Sequence, residues 1–233
     1  MLAVNNLCLT DSHSGTLFKN VSFQLSANEC IGFIGASGSG KSLLAHALLN
    51  SIPADTYLTG EVVVKETIAL MPQSATYLNP TSKVQPQILR RQSHRCQPNQ
   101  KQAFKLTENI LQKYPGQLSG GMTKLVLAMM AIVQESKFII ADEPTTGLDP
   151  KQANLILETL SSFKRHDKGV IIISHDICEL VEHVDRIIVF LQGEIVDITD
   201  KKQLISGHCH PYTKKLWQAS PKNWGNSRYD KTA

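Results

Sequence analysis

The stretch Gly35-Ala36-Ser37-Gly38-Ser39-Gly40-Lys41-Ser42 decides the fold of this chain. It has the spacing of a phosphate-binding loop, in which glycines let backbone N–H groups turn inward around phosphate oxygens. The apolar run from Cys30 to Ile34 precedes the loop, and Leu44 and Leu48 recur at helical spacing after it. Strand, loop and helix in this order predict a P-loop nucleotide site whose phosphates contact the residues from Gly35 to Ser42.

Two side chains of the loop have chemical roles beyond those of its backbone. Lys41 is predicted to reach the β- and γ-phosphates, and the hydroxyl of Ser42 is predicted to coordinate Mg²⁺. The helix that follows directs the positive end of its dipole at the same anion. The expected cofactors are therefore ATP and Mg²⁺.

A second buried strand ends on two acidic residues. The apolar run from Phe138 to Ala141 is followed directly by Asp142 and Glu143. Asp142 is predicted to hold Mg²⁺, directly or through water, and Glu143 to orient and polarise the attacking water. Phosphoryl transfer depends mainly on positioning and charge neutralisation, so one carboxylate beside a metal ion suffices. Together with the loop, this pair predicts an ATPase.

A second anion-binding segment, Leu118-Ser119-Gly120-Gly121, stands at the start of an apolar helix. The hydroxyl of Ser119, the amides of Gly120 and Gly121 and the helix dipole all favour a phosphate. One chain with two phosphate-binding ends suggests that two chains share two nucleotides.

These motifs resemble the ATP-binding cassette (ABC) family, whose signature motif is Leu-Ser-Gly-Gly-Gln; Met122 takes the last position here. The resemblance covers nearly the whole chain. It implies that Gln73 is the Q-loop glutamine, which contacts Mg²⁺ and links the site to a helical subdomain. It also implies that Asp149 belongs to the D-loop at the nucleotide and that His175 is the switch histidine near the γ-phosphate.

The resemblance further implies how two such chains would work. Two cassettes pack head to tail, so Ser119, Gly120 and Gly121 of one chain face the loop of the other. ATP holds the pair closed, and hydrolysis opens it. The catalytic residues would be Glu143, His175 and Gln73.

The pattern of apolar segments predicts an α/β fold with a mainly parallel central sheet, since strands alternate with helices along the chain. Short alternating strands near the N-terminus indicate an antiparallel β subdomain. The segments Ile187–Phe190 and Glu194–Asp197, joined by Gln192-Gly193, indicate a hairpin. We expect one ABC ATPase domain with a core at 1–73 and 135–205, an inserted α-helical subdomain at 74–134, and a C-terminal helix and tail at 206–233.

Composition limits the classes of protein to which the chain can belong. The net charge of +4 is too modest to indicate a nucleic-acid partner, and five scattered cysteines fit a reducing compartment. The first residues lack the pattern of a signal peptide, and no apolar stretch approaches the ~20 residues needed to cross a bilayer. We therefore expect a soluble chain that reaches a membrane only through partners.

Several short stretches resemble, within the ABC family, the ATPases of dipeptide, oligopeptide and nickel importers. They are Leu78-Asn79-Pro80, Tyr114-Pro115, Met122, the run from Ile140 to Thr146, and the tail from His210 to Leu216. The resemblance implies a peripheral subunit on the cytoplasmic face of a bacterial inner membrane, energising import of nickel, a metal chelate or short peptides. The short spacing between Lys41 and Gln73 favours metal uptake.

The implied partners are a second ABC ATPase subunit, two membrane-embedded permease subunits and an extracytoplasmic solute-binding protein. The second cassette could be identical, although the resemblance favours a different chain. An exporter ATPase, a soluble ABC ATPase that does not act in transport and a catalytically silent cassette are the alternatives. The presence of Lys41, Asp142, Glu143 and His175 argues against the silent one.

The sequence departs from the family at two further places. After the signature it has Thr123-Lys124-Leu125, where relatives have a longer polar run that includes arginine. No aromatic residue occupies the position that stacks on adenine; His13 and Phe18 are the nearest candidates, and Phe18 is expected in the core.

Overall fold

The fold is taken from a computed structural model, which describes residues 1–92 and 107–220. The predicted helical subdomain at 74–134 therefore includes a part, 93–106, that lies outside the described residues, and so does 221–233 of the predicted C-terminal tail. The strands, numbered in chain order, are β1 (Leu2–Asp11), β2 (Gly15–Leu25), β3 (Cys30–Gly35), β4 (Thr56–Val63), β5 (Ile68–Met71), β6 (Phe138–Asp142), β7 (Gly169–Ser174), β8 (Arg186–Leu191) and β9 (Glu194–Thr199).

The larger sheet has six strands in the order β5-β6-β7-β3-β8-β9. From β5 to β8 each neighbouring pair is parallel, and only β8 and β9 pair as an antiparallel hairpin. The carboxyl ends of β3, β5, β6 and β7 therefore open onto one edge, which is where an open α/β sheet binds its ligands. The predicted parallel sheet and hairpin are confirmed.

The central strands are buried on both faces, as the continuous apolar runs predict. In β6, Ile139 and Ala141 contact one core cluster, whereas Phe138 and Ile140 contact the other. This alternation follows from the two-residue period of a strand. Strand β6 therefore contributes side chains to both core clusters.

The smaller sheet is antiparallel, with three strands in the order β2-β1-β4. Strands β1 and β2 are longer than the short alternating strands predicted near the N-terminus. In β1, each residue from Leu2 to Asp11 either pairs with a neighbouring strand or lies in a bulge between paired positions. Phe23 of β2 packs edge-on against Phe33 of β3, with ring centroids 5.3 Å apart. The N-terminal antiparallel subdomain is therefore joined to the larger sheet by a shared core.

The helices lie on both sides of the larger sheet. They are α1 (Lys41–Leu48), α2 (Val84–Arg91), α3 (Glu108–Leu111), α4 (Gly120–Ile132), α5 (Pro150–Ser162), α6 (Ile177–Leu180), α7 (Lys201–Ser206) and α8 (Pro211–Ala219), with 3₁₀ turns at Ala75–Tyr77, Pro115–Gln117 and Phe163–His166. Helices α4 and α5 belong to one core cluster, and α1 belongs to the other with the smaller sheet. Within 1–92 and 107–220, no helix has the length and hydrophobicity to span a membrane.

The predicted fold class, an α/β P-loop cassette with an antiparallel β subdomain and helices inserted between strands of the sheet, is confirmed. The described helices α2, α3 and α4 all fall between β5 and β6. The exact domain boundaries stay predictions. The C-terminal helix α8 is fastened to β9, because the Asp197 carboxylate accepts hydrogen bonds from the backbone N–H of His210 (2.8 Å) and the hydroxyl of Thr213 (2.6 Å).

Candidate functional site

The glycine-rich loop connects β3 to α1 at the carboxyl edge of the larger sheet. Gly40 directly precedes the helix with φ of 95°, and Gly38 has φ of 77°, both in the left-handed region that side chains disfavour. Gly35 is needed for another reason, because a Cβ there would lie 2.4 Å from the carbonyl oxygen of Phe190. The chain can therefore turn tightly enough to bring its backbone amides to one anion.

The amine of Lys41 bridges the loop on which it stands. Its Nζ donates to the carbonyl oxygens of Gly35 (2.8 Å) and Ala36 (2.9 Å) and lies 3.1 Å from the hydroxyl of Ser39. Lys41 is only 6% exposed, and this burial lowers the pKa of its ammonium, an effect that Glu143 and Asp142 oppose. A bound polyphosphate would supply further negative charge to this desolvated cation.

Ser42 and Asp142 meet although they are far apart in sequence. The Ser42 hydroxyl donates to the Asp142 carboxylate over 3.2 Å. Burial raises the pKa of Asp142, and the hydrogen bond from Ser42 opposes that shift. A hydroxyl and a carboxylate side by side are the oxygen ligands that Mg²⁺ prefers, and it usually takes only one or two such groups from the protein. The predicted metal ligands therefore fit this ion.

Glu143 has the most constrained backbone of the site. Its φ of 47° is in the left-handed region, which costs a non-glycine residue about 1–3 kcal/mol and persists only where neighbours enforce it. Its N–H donates to the carbonyl oxygen of Ile173 (3.0 Å). Its carboxylate accepts from the Thr146 hydroxyl (3.0 Å) and lies 2.9 Å from Nδ1 of His175. The carboxylate is thereby held in one orientation over the loop.

These residues surround one cavity of about 390 Å³. It is lined by the loop from Ser37 to Leu43 and by Gln73, Glu143, Thr146 and His175. The structure thus brings together the predicted phosphate loop, the predicted catalytic residues and, through the Ser42 contact, the predicted metal ligand Asp142. What each side chain does there stays a prediction.

The remaining predicted site residues lie elsewhere on the chain. The Ser119 hydroxyl caps α4 by accepting from the N–H of Met122 (3.3 Å), and Gly120 is exposed beside it. Gly121 packs closely against α5, where a Cβ would lie 2.2 Å from the side-chain oxygen of Gln152. None of these residues lines the cavity just described.

Asp149 caps the adjacent helix. Its carboxylate accepts from the N–H groups of Lys151 and Gln152, both over 3.0 Å, which fixes the start of α5. Within one chain, Asp149 and the Ser119–Gly121 cap are therefore separate from the phosphate loop. A role for them at a nucleotide stays a prediction that requires a second cassette.

Two residues of the site were missed by the sequence analysis. Thr146 lines the cavity and bonds to Glu143, yet nothing in the sequence distinguishes it from the other threonine, Thr145, beside it. Lys124 is 8% exposed, and its amine donates to the carbonyl oxygens of Gln73 (2.8 Å) and Glu143 (3.1 Å). In the sequence, a single lysine one turn into an otherwise apolar helix is the signal that could have indicated this buried contact.

The prediction for Phe18 is confirmed, since its side chain is 1% exposed in the core. His13 lies in the exposed turn between β1 and β2, where its N–H donates to the carboxylate of Asp11 (2.9 Å).

A family model described as ABC transporter matches residues 18–146. The metal-staphylopine import system ATP-binding protein CntD of Staphylococcus aureus is 29% identical over 95% of this chain and 94% of its own length. The oligopeptide transport ATP-binding protein OppD of Lactococcus lactis is 31% identical over 87% of this chain and 69% of its own.

A third relative is the glutathione import ATP-binding protein GsiA of Escherichia coli, which is 32% identical over 95% of this chain. The chain spans only 42% of the length of GsiA.

Solved structures agree with the fold. The ATP-binding subunit of an ABC transporter superposes with a TM-score of 0.75 at 20% identity, covering 96% of this chain and 97% of that one. The cassette MJ0796, in a dimeric post-hydrolysis state bound to ADP and phosphate, superposes with a TM-score of 0.70 at 22% identity, covering 86% of this chain and 98% of that one.

Proposed function

The chain belongs to the ABC transporter family, and we propose that it is the subunit that binds and hydrolyses ATP to energise an importer. The observation that carries this proposal is the Glu143–His175 contact of 2.9 Å above the phosphate loop. It combines a carboxylate that can orient water with an imidazole that can reach the terminal phosphate. Such a pair suits hydrolysis, whereas a cassette that only binds nucleotide needs neither group.

The residues around this pair have distinct tasks in the proposal. The loop from Gly35 to Ser42 binds the phosphates with its amides, and Lys41 neutralises their charge. Ser42, Asp142 and the Gln73 amide would hold Mg²⁺, which would supply positive charge to neutralise the phosphates. Glu143 accepts a hydrogen bond from the attacking water and directs its lone pair in line with the bond to be broken.

Hydrolysis requires two cassettes in this proposal. The cap formed by Ser119, Gly120 and Gly121, and the nearby Asp149, lie away from the loop of their own chain. The helix N-terminus that Ser119 caps suits a phosphate held by a partner cassette. Loss of the γ-phosphate removes contacts across the pair and opens it, and this movement is the output that a permease would use.

The test of hydrolysis is the Glu143→Gln variant, which retains shape and hydrogen bonding but removes the carboxylate charge. We expect ATP to bind as in the wild type, hydrolysis to fall by about 10²-fold or more, and a closed dimer to accumulate with Mg²⁺-ATP. Glu194→Gln is the matched control, since Glu194 forms an exposed ion pair with Lys19 (2.9 Å) on the edge hairpin. Normal turnover by Glu143→Gln contradicts the proposal.

The cargo proposed first is a metal ion bound to a small chelator, with nickel or short peptides as the other candidates. CntD, which matches over 94% of its own length, is named for metal-staphylopine import, whereas OppD and GsiA are named for oligopeptides and glutathione. We propose that the chain binds two permease subunits at the cytoplasmic face of a bacterial inner membrane. A second cassette and an extracytoplasmic solute-binding protein complete the assembly.

Cargo is tested by uptake in a strain that lacks this chain. We expect uptake of chelated nickel to fall and uptake of labelled di- and oligopeptides to stay normal. The wild-type chain supplied in trans should restore uptake, and the Glu143→Gln variant should not. Loss of peptide uptake with normal metal uptake would assign the peptide cargo instead.

A further inference from the structure

Lys124 joins two strand ends that belong to the hydrolytic site. It lies four residues beyond Gly120, on the buried face of α4. Its amine donates to the carbonyl oxygens of Gln73 (2.8 Å) and Glu143 (3.1 Å). These acceptors follow β5 and β6, which are adjacent and parallel. One nitrogen atom therefore links the two segments that carry the glutamine and the glutamate of the cavity.

The Glu143 peptide needs such a link. Its left-handed φ of 47° is disfavoured for a side chain with a Cβ, so its neighbours must hold it. The N–H of Glu143 is bound by the carbonyl oxygen of Ile173 (3.0 Å) on β7. Its carbonyl oxygen accepts from the amine of Lys124. Both backbone polar groups of Glu143 are thus hydrogen-bonded. The N–H is bound within the sheet by Ile173, and the carbonyl oxygen is bound by Lys124 of α4.

A purely structural role does not require this side chain. Lys124 is 8% exposed, and burying an amine is costly unless it is hydrogen-bonded, whereas methionine fills similar space at lower cost. Lys168 makes a comparable contact elsewhere, since its amine donates to the carbonyl oxygen of Ser136, away from the cavity. Lys168→Met is therefore a control for the loss of a lysine–carbonyl bond that lies away from the cavity.

We propose that Lys124 is a positioning residue for hydrolysis, whose amine holds the Gln73 and Glu143 peptides so that both side chains point into the cavity. The inference rests on the proposed role of Glu143. Lys124 is not among the residues that line the cavity. It acts on the placement of Glu143 beside His175 and of Gln73 at the wall of the cavity. A shift of either group by about 1 Å is enough to slow a reaction strongly.

The test compares ATP hydrolysis by full-length Lys124→Met, Lys124→Arg and Lys168→Met proteins in the assembled transporter. For Lys124→Met we expect kcat to fall about 10- to 100-fold while KM for ATP changes less than about threefold, because binding by the phosphate loop is retained. Lys124→Arg retains donors and should recover kcat to within about fivefold of wild type. Lys168→Met should match the wild type in kcat.

A double variant separates positioning from general damage. Because Lys124 acts partly through Glu143, Lys124→Met should lower the residual rate of Glu143→Gln by a clearly smaller factor than it lowers the wild-type rate. If Lys124→Met does not fold, Lys124→Gln is judged by the same criteria. The inference is overturned if kcat stays within about twofold of wild type, if KM rises as much as kcat falls, or if Lys124→Arg is as impaired as Lys124→Met.

The two proposals fail in different ways. Normal hydrolysis by Glu143→Gln removes the proposed function. Stalled hydrolysis by Glu143→Gln together with normal hydrolysis by Lys124→Met removes only the role of Lys124.

Discussion

Nδ1 of His175 lies 2.9 Å from a carboxylate oxygen of Glu143, although 32 positions separate the two residues. The contact arises because β6 and β7 are adjacent and parallel, with Asp142 opposite Ile173. Each residue follows the end of its strand by one position, so both emerge at the same edge. The His175 side chain is 67% exposed and that of Glu143 is 17% exposed, so the imidazole covers the carboxylate from the open side of the cavity.

His175→Ala should impair hydrolysis without weakening ATP binding. We expect kcat to fall about 10²-fold with little change in KM, because the imidazole acts at the terminal phosphate and on Glu143 and not on the rest of the nucleotide. Steady-state phosphate release measures both constants. His208→Ala is the control, since His208 is exposed near the C-terminus and contacts the hydroxyl of Ser206. Equal losses in the two variants would contradict a special role for His175.

Lys41→Ala should abolish tight ATP binding. The change removes the cation from the loop and also the bonds to the carbonyl oxygens of Gly35 and Ala36. We expect Kd for ATP to rise about 100-fold or more, measured by equilibrium titration with a fluorescent nucleotide. Lys19→Ala removes an exposed lysine instead and should leave Kd unchanged. Unaltered affinity in Lys41→Ala would refute the assignment of the loop.

Asp142→Asn should stabilise the nucleotide-free protein and impair Mg²⁺-dependent hydrolysis. Burial raises the pKa of Asp142 above its ordinary value of 3.8, so the folded state binds this proton more tightly than the unfolded state does. The resulting stabilisation is present below pH 3.8 and is lost as the pH rises through the folded-state pKa. At neutral pH the ionised carboxylate therefore opposes folding until a metal ion compensates it.

We expect Asp142→Asn to raise Tm at pH 7 by roughly 1–3 °C without nucleotide or Mg²⁺. Calorimetry measures this shift, and titration of hydrolysis with Mg²⁺ measures the loss of activity. Asp55→Asn, on the exposed turn before β4, should change neither. A fall in Tm for Asp142→Asn would show that its carboxylate already stabilises the fold without a metal ion.

Ser119→Ala should have a structural and a functional effect that can be separated. The hydroxyl caps α4, so its loss should cost about 1 kcal/mol of stability. Asp200→Ala removes a comparable cap from α7, where the carboxylate accepts from the N–H of Gln203 (2.9 Å). We expect both variants to unfold at lower temperature by similar amounts.

Only Ser119→Ala should lower kcat/KM for ATP, by about 10-fold, and weaken ATP-driven pairing of cassettes in analytical ultracentrifugation. Equal rates of ATP hydrolysis by Ser119→Ala and Asp200→Ala would show that Ser119 acts only as a helix cap.

Much of the site follows from local patterns. The loop from Gly35 to Ser42 could be predicted because glycine conformation and a helix start are set by residues adjacent in the chain. Asp142 and Glu143 could be predicted as a pair at a strand end because continuous apolar runs indicate buried parallel strands. The lengths of β1 and β2 could not be predicted, since their polar residues join the ladder only because partner strands lie alongside.

The sequence by itself determined the phosphate loop from Gly35 to Ser42, the parallel sheet beneath it and the residue types of the site, because each depends on neighbours within a few positions. Only the tertiary structure decided that Ser42 meets Asp142 across 100 positions and that Glu143 takes a left-handed conformation. It also decided that the buried Lys124 reaches the carbonyl oxygens of Gln73 and Glu143. The physical reason is that a buried amine must find acceptors, and the packing of α4 against the strand ends determines which ones it finds.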